Sequence, residues 1–210
     1  YTGGCNLKCP YCHSRDLVYL KENMYPIVTE KINEYLESHR KDLDGIYISG
    51  GEPLMHEGVV SFLQYAKTLN YKIKIHTNGM FYERLKTILA QKLVDHVSLD
   101  IKNAPSAYAK TCGVEDMDLK DIEKSLDLLK QSAVPYDICV TLVDELHNQA
   151  TIQELGQWIQ GVDTVILQPF EDSETTIDHS LHRPSFETVL KYKKILEKYV
   201  KHVKIRGNQA

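Results

Sequence analysis

The sequence predicts an α/β domain in which parallel strands, joined by crossover helices, close wholly or partly into a barrel. Three observations lead there. Short β-like runs alternate with amphipathic helical stretches along the chain, the order expected of parallel strands with crossover helices. No low-complexity segment or linker rich in Pro, Gly or Ser interrupts that alternation, so residues 1–210 read as one domain. The unusual residues fall directly after strands: the loop Cys5 to Cys12, Gly50-Gly51-Glu52-Pro53, Thr77-Asn78-Gly79, Asp100-Ile101-Lys102 and Gln168-Pro169-Phe170. A barrel gathers such loops on one rim, whereas an open doubly wound sheet concentrates its site at a switch point.

The elements follow in order. Tyr1-Thr2-Gly3-Gly4 reads as the end of a strand whose first half is missing, which implies a trimmed N-terminus. A helix carries Ile32, Tyr35, Leu36 and His39 on one face, with Thr29 as its N-cap. Gly45 to Ser49 is a strand, and Phe62, Leu63, Ala66 and Leu69 mark the next helix. Tyr71 to His76 alternates lysine and isoleucine with period two, as a strand does. Leu85, Ile88, Leu89 and Leu93 are helical, and His96 to Ile101 is a strand. Leu119, Ile122, Leu126 and Leu129 form the clearest helical stripe, ended by Pro135. Strands Tyr136 to Leu142 and Asp163 to Gln168 flank a helix with Ile152, Leu155 and Ile159. A last helix with Val189, Leu190, Leu196 and Tyr199 precedes a short strand, Val203 to Ile205.

Apolar residues make up 42% and charged residues 26%, and the net charge is −4, so nothing points to a nucleic-acid or membrane surface. No apolar run approaches the roughly 20 residues that span a bilayer, and no secretory signal is visible. Five cysteines, three of them clustered, fit metal binding in a reducing compartment, which predicts a cytoplasmic protein. Cys139 is expected to be a buried strand residue and Trp158 a core residue. His147 reads as a solvated loop histidine, His179 and His182 lie in a polar loop, and Lys191, Lys193, Lys194 and Lys198 read as a wet helical face. Cys112 carries no assigned role.

The chemistry lies in two motifs. Cys5, Cys9 and Cys12 are spaced C-x3-C-x2-C. Three thiolates suit three corners of a cubane iron–sulfur cluster with one iron left open, and a fourth nearby cysteine, the mark of electron-transfer clusters, is lacking. With His13 they also suit a Cys3His zinc site, and chance clustering is the third alternative. About 40 residues on comes Ser49-Gly50-Gly51-Glu52-Pro53. Its glycines free the backbone for a close approach. Its carboxylate beside exposed carbonyls suits an ammonium group. The bland reading is a strand-ending turn.

Together these residues resemble the radical S-adenosylmethionine (SAM) enzymes. The cysteine motif with Tyr11 between its last two cysteines is similar to that superfamily's cluster motif, and GGEP to its methionine-binding motif. The resemblance implies a partial (β/α)6 TIM-like barrel. Within the superfamily, Cys12-His13-Ser14-Arg15-Asp16, Thr77-Asn78-Gly79 and Leu99-Asp100-Ile101-Lys102 resemble the glycyl-radical-enzyme activases. The stretches Val162 to Phe170, the acidic loop through Arg183-Pro184 and Val203 to Gly207 look most like the activating proteins of anaerobic ribonucleoside-triphosphate reductase.

The resemblance implies that Cys5, Cys9 and Cys12 ligate a 4Fe-4S cluster and that SAM chelates the open iron. Gly50, Gly51 and Glu52 would hold the SAM ammonium, Tyr11, Cys12 and His13 would lie along the adenine, Thr77 and Asn78 would line the cofactor, and Asp100 and Lys102 would meet the ribose or carboxylate. The implied reaction is reductive cleavage of SAM to a 5′-deoxyadenosyl radical that takes a hydrogen atom from a glycine of a glycyl radical enzyme. It needs a low-potential donor such as flavodoxin or ferredoxin. An activase of the pyruvate formate-lyase type and a peptide- or small-molecule-modifying enzyme are the alternatives, and a zinc or electron-transfer protein is the rival of another class. One residue departs from the pattern. Related activases tend to carry Asp, a potential ligand of a monovalent cation, before Thr-Asn-Gly, and here that residue is His76.

Overall fold

The structure is a computed structural model and describes residues 1–207. Six strands form one sheet: β1 (Gly45–Ile48), β2 (Lys72–Thr77), β3 (His96–Asp100), β4 (Tyr136–Leu142), β5 (Thr164–Pro169) and β6 (His202–Ile205). Every neighbouring pair is parallel and the spatial order is the chain order. An order that never reverses has no switch point, which removes the doubly wound alternative and leaves the partial barrel. Ahead of β1, Thr2 makes an isolated parallel bridge to Gly50, so the N-terminal segment lies where a preceding strand would end.

Helices return the chain between strands: α1 (Arg15–Tyr19), α2 (Thr29–Ser38), α3 (Val59–Thr68), α4 (Tyr82–Ala90), α5 (Pro105–Thr111), α6 (Lys120–Gln131), α7 (Gln149–Trp158) and α8 (Phe186–Leu196). The apolar stripes read from the sequence are largely buried faces, but Tyr35 of α2 and Leu190 of α8, read as members of such stripes, are exposed. Leu63 and Ala66 of α3, Leu85 and Ile88 of α4, and Ile122, Leu126 and Leu129 of α6 join one core with Ile73, Ile75, Val97 and Leu99 of the strands. Helix α7 starts at a capping box in which the Asn148 side chain accepts from the Thr151 N–H and the Thr151 hydroxyl bonds back to Asn148. Ser185 caps α8 by accepting from the Thr188 N–H. Thr29 is not an N-cap. It is the first helical residue, and Val28 precedes it in extended conformation with no side-chain bond to the helix.

Two short helices, α1 and α5, fall outside the sequence expectation, because five and seven residues carry too few turns to show a period. His147 is a second correction. It is buried, with Nδ1 on the Val143 backbone and Nε2 at 3.0 Å from the Lys102 carbonyl, and it ties the turn after β4 to the segment after β3. Burial holds its pKa below the usual histidine value. Trp158 packs against the core with its ring edge-on to Tyr108, as expected.

Gly156 permits the close packing of α7 on the chain after α8, since a Cβ there would lie 2.4 Å from the Tyr199 ring. Alanine gains about 1 kcal/mol in helix propensity, but overpacking a core costs about 1–3 kcal/mol. Gly156→Ala is therefore expected to lower the urea midpoint of the apo-protein, and an unchanged or raised midpoint would show that Tyr199 moves freely aside.

Candidate active site

The cysteine loop is shaped by its own backbone and clamped from two sides. Cys12 N–H donates to the Cys9 carbonyl at 2.9 Å, which closes a turn across the last two cysteines. The Leu7 and Ser14 N–H groups point at Cys5 Sγ and Cys12 Sγ, each at 3.4 Å. From the segment between β5 and α8, Asp178 N–H donates to the Pro10 carbonyl at 2.8 Å and Ile177 N–H to the Cys12 carbonyl at 3.0 Å. Arg15 N–H returns a bond to the Thr175 carbonyl at 3.2 Å. On the other side the turn after α5 abuts the loop, with a Cβ on Gly113 reaching within 2.9 Å of the Lys8 carbonyl. The fully buried Cys112 thiol lies beside Cys9, and its influence holds the Cys9 thiol below the usual value against the opposing effect of burial. Burial raises the Cys5 thiol to about 11 and pushes Cys12 up as well.

The three loop thiols do not converge on a point. Among the described residues, the set of three His, Cys, Asp or Glu donors whose atoms all lie within 4.8 Å of one another is His76, Asp100 and Cys139, not the loop cysteines. Thiolates on one tetrahedral zinc lie about 3.8 Å apart. The spread donors fit a cluster, whose cysteines bind separate irons. His13 is exposed.

The GGE turn packs directly under this loop. Thr2 N–H donates to the Ser49 carbonyl at 2.7 Å, Gly51 N–H to Thr2 at 2.8 Å, and Glu52 N–H to Gly4 at 2.9 Å. Gly50 has φ +124° and its Cβ would lie 2.4 Å from the Thr2 carbonyl oxygen. A Cβ on Gly51 would lie 1.9 Å from the Gly4 oxygen, next to Cys5. The glycines are thus required by backbone meeting backbone, a reason the sequence did not reveal. Glu52 is 1% exposed, and its carboxylate accepts from Leu54 N–H at 2.9 Å, Thr77 Oγ1 at 2.7 Å and Asn78 N–H at 2.7 Å. Burial raises its pKa and those three bonds oppose the rise. Asn78 also donates through Nδ2 to Asn6 Oδ1 at 2.8 Å, so the turn after β2 holds both the GGE carboxylate and the cysteine loop.

Across the cavity stand Asp100 and Lys102, with Lys102 Nζ 2.7 Å from Asp100 Oδ2. His76 Nε2 is 2.6 Å from Asp100 Oδ1, and its Nδ1 is 2.7 Å from the Tyr47 hydroxyl. Burial works against the Asp100 carboxylate, but His76 and Lys102 together hold its pKa well below the usual range. Burial likewise opposes the Lys102 charge, and Asp100 outweighs it and holds Lys102 protonated. Cys139 is buried as expected, but it faces this cavity and lies outside the apolar core. His179 pairs with Asp172 and His182 with Glu145 on the exposed strap between β5 and α8.

All ten expected cofactor residues lie at this rim: Tyr11, Cys12, His13, Gly50, Gly51, Glu52, Thr77, Asn78, Asp100 and Lys102 line one cavity of about 560 Å³ with Cys5 and Cys9. Tyr47, His76, Cys139, Gln168 and Arg206 also line it, as do residues of the strap. The alternation of Lys72, Lys74 and His76 with isoleucine is the signal that marks His76 as inward-facing. For the strap, which has no period, the sequence carries no comparable signal. The fit to a cluster plus a bound small cation-bearing ligand rests on the spread thiols, their N–H donors and the exposed turn beside them.

Two substitutions test this geometry. Glu52→Gln places an amide hydrogen against one of three donors and is expected to cost about 1.5–3 kcal/mol, the scale of a hydrogen bond to a charged group. Urea unfolding of the apo-protein measures it, and a change within error would show the carboxylate is dispensable. Gly51→Ala is expected to reduce iron loading, because its Cβ displaces Gly4 and with it Cys5. Gly58→Ala, with nothing within 4 Å of the added Cβ, is the control and should load as wild type.

Comparison with known proteins agrees with this geometry. The profile of the radical SAM superfamily matches residues 1–157. A protein of Methanocaldococcus jannaschii assigned as a glycyl-radical enzyme activating enzyme is 30% identical over 209 residues, covering 97% of this chain and 85% of its own. The pyruvate formate-lyase-activating enzyme of Clostridium pasteurianum is 27% identical over 95% of this chain and 88% of its own. Streptococcus suis SuiB, solved with S-adenosylmethionine bound, superposes over 99% of this chain and 49% of its own with a TM-score of 0.77 at 14% identity, which speaks for the fold. No described helix is long and apolar enough to cross a membrane. A cavity that joins a C-x3-C-x2-C loop to a GGE turn, on a chain so matched, uses a 4Fe-4S cluster and SAM, and the chain belongs to the radical SAM superfamily, in its group of glycyl-radical-enzyme activating enzymes.

Proposed function

We propose that this chain activates anaerobic ribonucleoside-triphosphate reductase by taking a hydrogen atom from a backbone glycine of its large subunit. The observation that carries the reading is the meeting, on one cavity, of three separately placed thiols with the GGE turn. When bound, the cluster and SAM supply one-electron chemistry that ends in hydrogen abstraction from a C–H bond. The chain's own residues position and exclude. In this reading Cys5, Cys9 and Cys12 hold the cluster, and the Leu7 and Ser14 N–H groups stabilise the charge on the outer two sulfurs. Gly50, Gly51 and Glu52 receive the SAM ammonium, with Thr77 and Asn78 fixing Glu52. Lys102 and Asp100 meet the carboxylate or ribose, and Tyr11 and His13 flank the adenine. No general acid–base pair is needed, because a hydrogen atom is moved.

The target is supported by the C-terminal wall. The three stretches that resemble reductase activators lie together: β5 pairs with β6, Arg206 Nη1 reaches Gln168 Oε1 at 3.3 Å, and Arg183 pairs with Glu171 at 2.7 Å. A second reading, a target of the pyruvate formate-lyase type, is supported by the Clostridium pasteurianum relative. Flavodoxin or ferredoxin is the proposed electron donor, and free thiols at the site fit the cytoplasm.

The test is anaerobic. Protein reconstituted with iron and sulfide receives dithionite and SAM, and 5′-deoxyadenosine is quantified. Product is expected from wild type and not from Cys5→Ala, chosen because Cys9 has a second thiol beside it. A glycyl radical signal in the reductase subunit, and none in a pyruvate formate-lyase, would support the proposed target, and the reverse pattern would replace it. A fully loaded, reduced cluster that yields no product would overturn the enzymatic reading.

A further inference from the structure

His76 stands where related activases tend to place a carboxylate able to bind a monovalent cation, and the local donors do not fit such an ion. Sodium and potassium, hard cations, take oxygen ligands. Both Asp100 oxygens are engaged, Oδ1 by His76 Nε2 at 2.6 Å and Oδ2 by Lys102 Nζ at 2.7 Å. His76 is held in that pose from behind by the Tyr47 hydroxyl at 2.7 Å from Nδ1. The third donor within 4.8 Å is Cys139 Sγ, a soft sulfur. An added cation would replace the imidazole on Asp100 and sit against the Lys102 ammonium, a like charge bonded to the same carboxylate.

We infer that this site takes no alkali-metal cation: the His76 side chain, fixed between Tyr47 and Asp100, fills the cation's place, and SAM binding is independent of sodium and potassium. The inference rests on the radical SAM reading and deepens it, since it concerns how the SAM pocket is balanced. It also assigns His76 and Tyr47 as positioning residues, acting through Asp100. His76→Asp should restore a second carboxylate facing Asp100 and thereby create a need for the ion.

The experiment uses cluster-loaded protein exchanged into choline chloride, then into sodium or potassium chloride at matched ionic strength. Calorimetric SAM affinity and the change that SAM makes in the electron paramagnetic resonance spectrum of the reduced cluster are the readouts. Wild-type affinity is expected to be the same in all three salts. His76→Asp is expected to bind about tenfold more weakly in choline and to recover in potassium or sodium. If His76→Asp does not load its cluster, wild type against His76→Asn decides, since both lack the added carboxylate and should ignore the salt. Wild-type affinity that rises severalfold with potassium or sodium overturns the inference. So does stoichiometric zinc that is lost in Cys139→Ala, because a softer ion would then occupy the donors. Wild type that binds no SAM in any salt overturns both the inference and the reading beneath it.

Discussion

The site depends on one buried carboxylate. Glu52 leaves the end of β1, and its side chain accepts from the 3-10 turn that follows (Pro53–Met55) and from the end of β2, while its own N–H bonds Gly4 at the foot of the cysteine loop. Burying a carboxylate is costly unless its lone pairs are filled. Here three donors fill them, two of them backbone N–H groups whose positions follow from the strands. The strand ends and the carboxylate therefore fix one another. Removing Glu52 would leave Leu54 and Asn78 N–H groups and the Thr77 hydroxyl without their acceptor in a dry environment, and the loop that starts at Gly4 would lose its floor.

A second constraint is the polar interior. Buried parallel strands usually read as continuous apolar runs. β2 instead alternates, with Ile73 and Ile75 in the core and Lys74 and His76 on the opposite face. The same face carries Asp137 and Cys139 on β4 and Ser98 and Asp100 on β3. Asp137 accepts from Ser98 at 2.6 Å and His96 at 2.7 Å, and Cys139 Sγ lies 3.4 Å from it. Hydrogen-bonded polar side chains thus extend from this network towards the His76, Asp100 and Lys102 group. Charged groups are tolerated there because each has a partner, and the apolar burial that stabilises the barrel comes from the outer face, under the helices.

That division explains what the sequence discloses. Strand positions were legible to within a residue or two, since turn residues bound them, and the helical stripes were legible because one face of each helix meets the sheet. The rim residues were legible as motifs. Their reasons were not. Gly51 looked like a place for a ligand to approach, yet its missing Cβ is needed for Gly4, 47 positions away in sequence. His147 looked solvated because its neighbours are polar, and only the fold brings the Lys102 carbonyl to its Nε2. Cys112 looked idle until α5 set it against Cys9. Each is a long-range contact, which local periodicity does not encode.

The strap between β5 and α8 carries this furthest. It has no period and no capped helix, yet its residues 175–178 clamp Pro10, Cys12 and Arg15 through backbone bonds, and the Thr175 hydroxyl donates to the His13 carbonyl. The three backbone bonds impose little on side-chain identity, whereas the fourth needs a hydroxyl at position 175. The superfamily profile ends at residue 157, before the strap begins, whereas the Methanocaldococcus jannaschii relative aligns through 97% of the chain. The cluster loop and GGE turn lie within the segment that the superfamily profile matches, and the wall that closes over them lies beyond it. Glu171, Asp172, Ser173 and Thr175 of that wall line the same cavity as the GGE turn. The segment that clamps the cluster loop thus also forms part of the cavity wall.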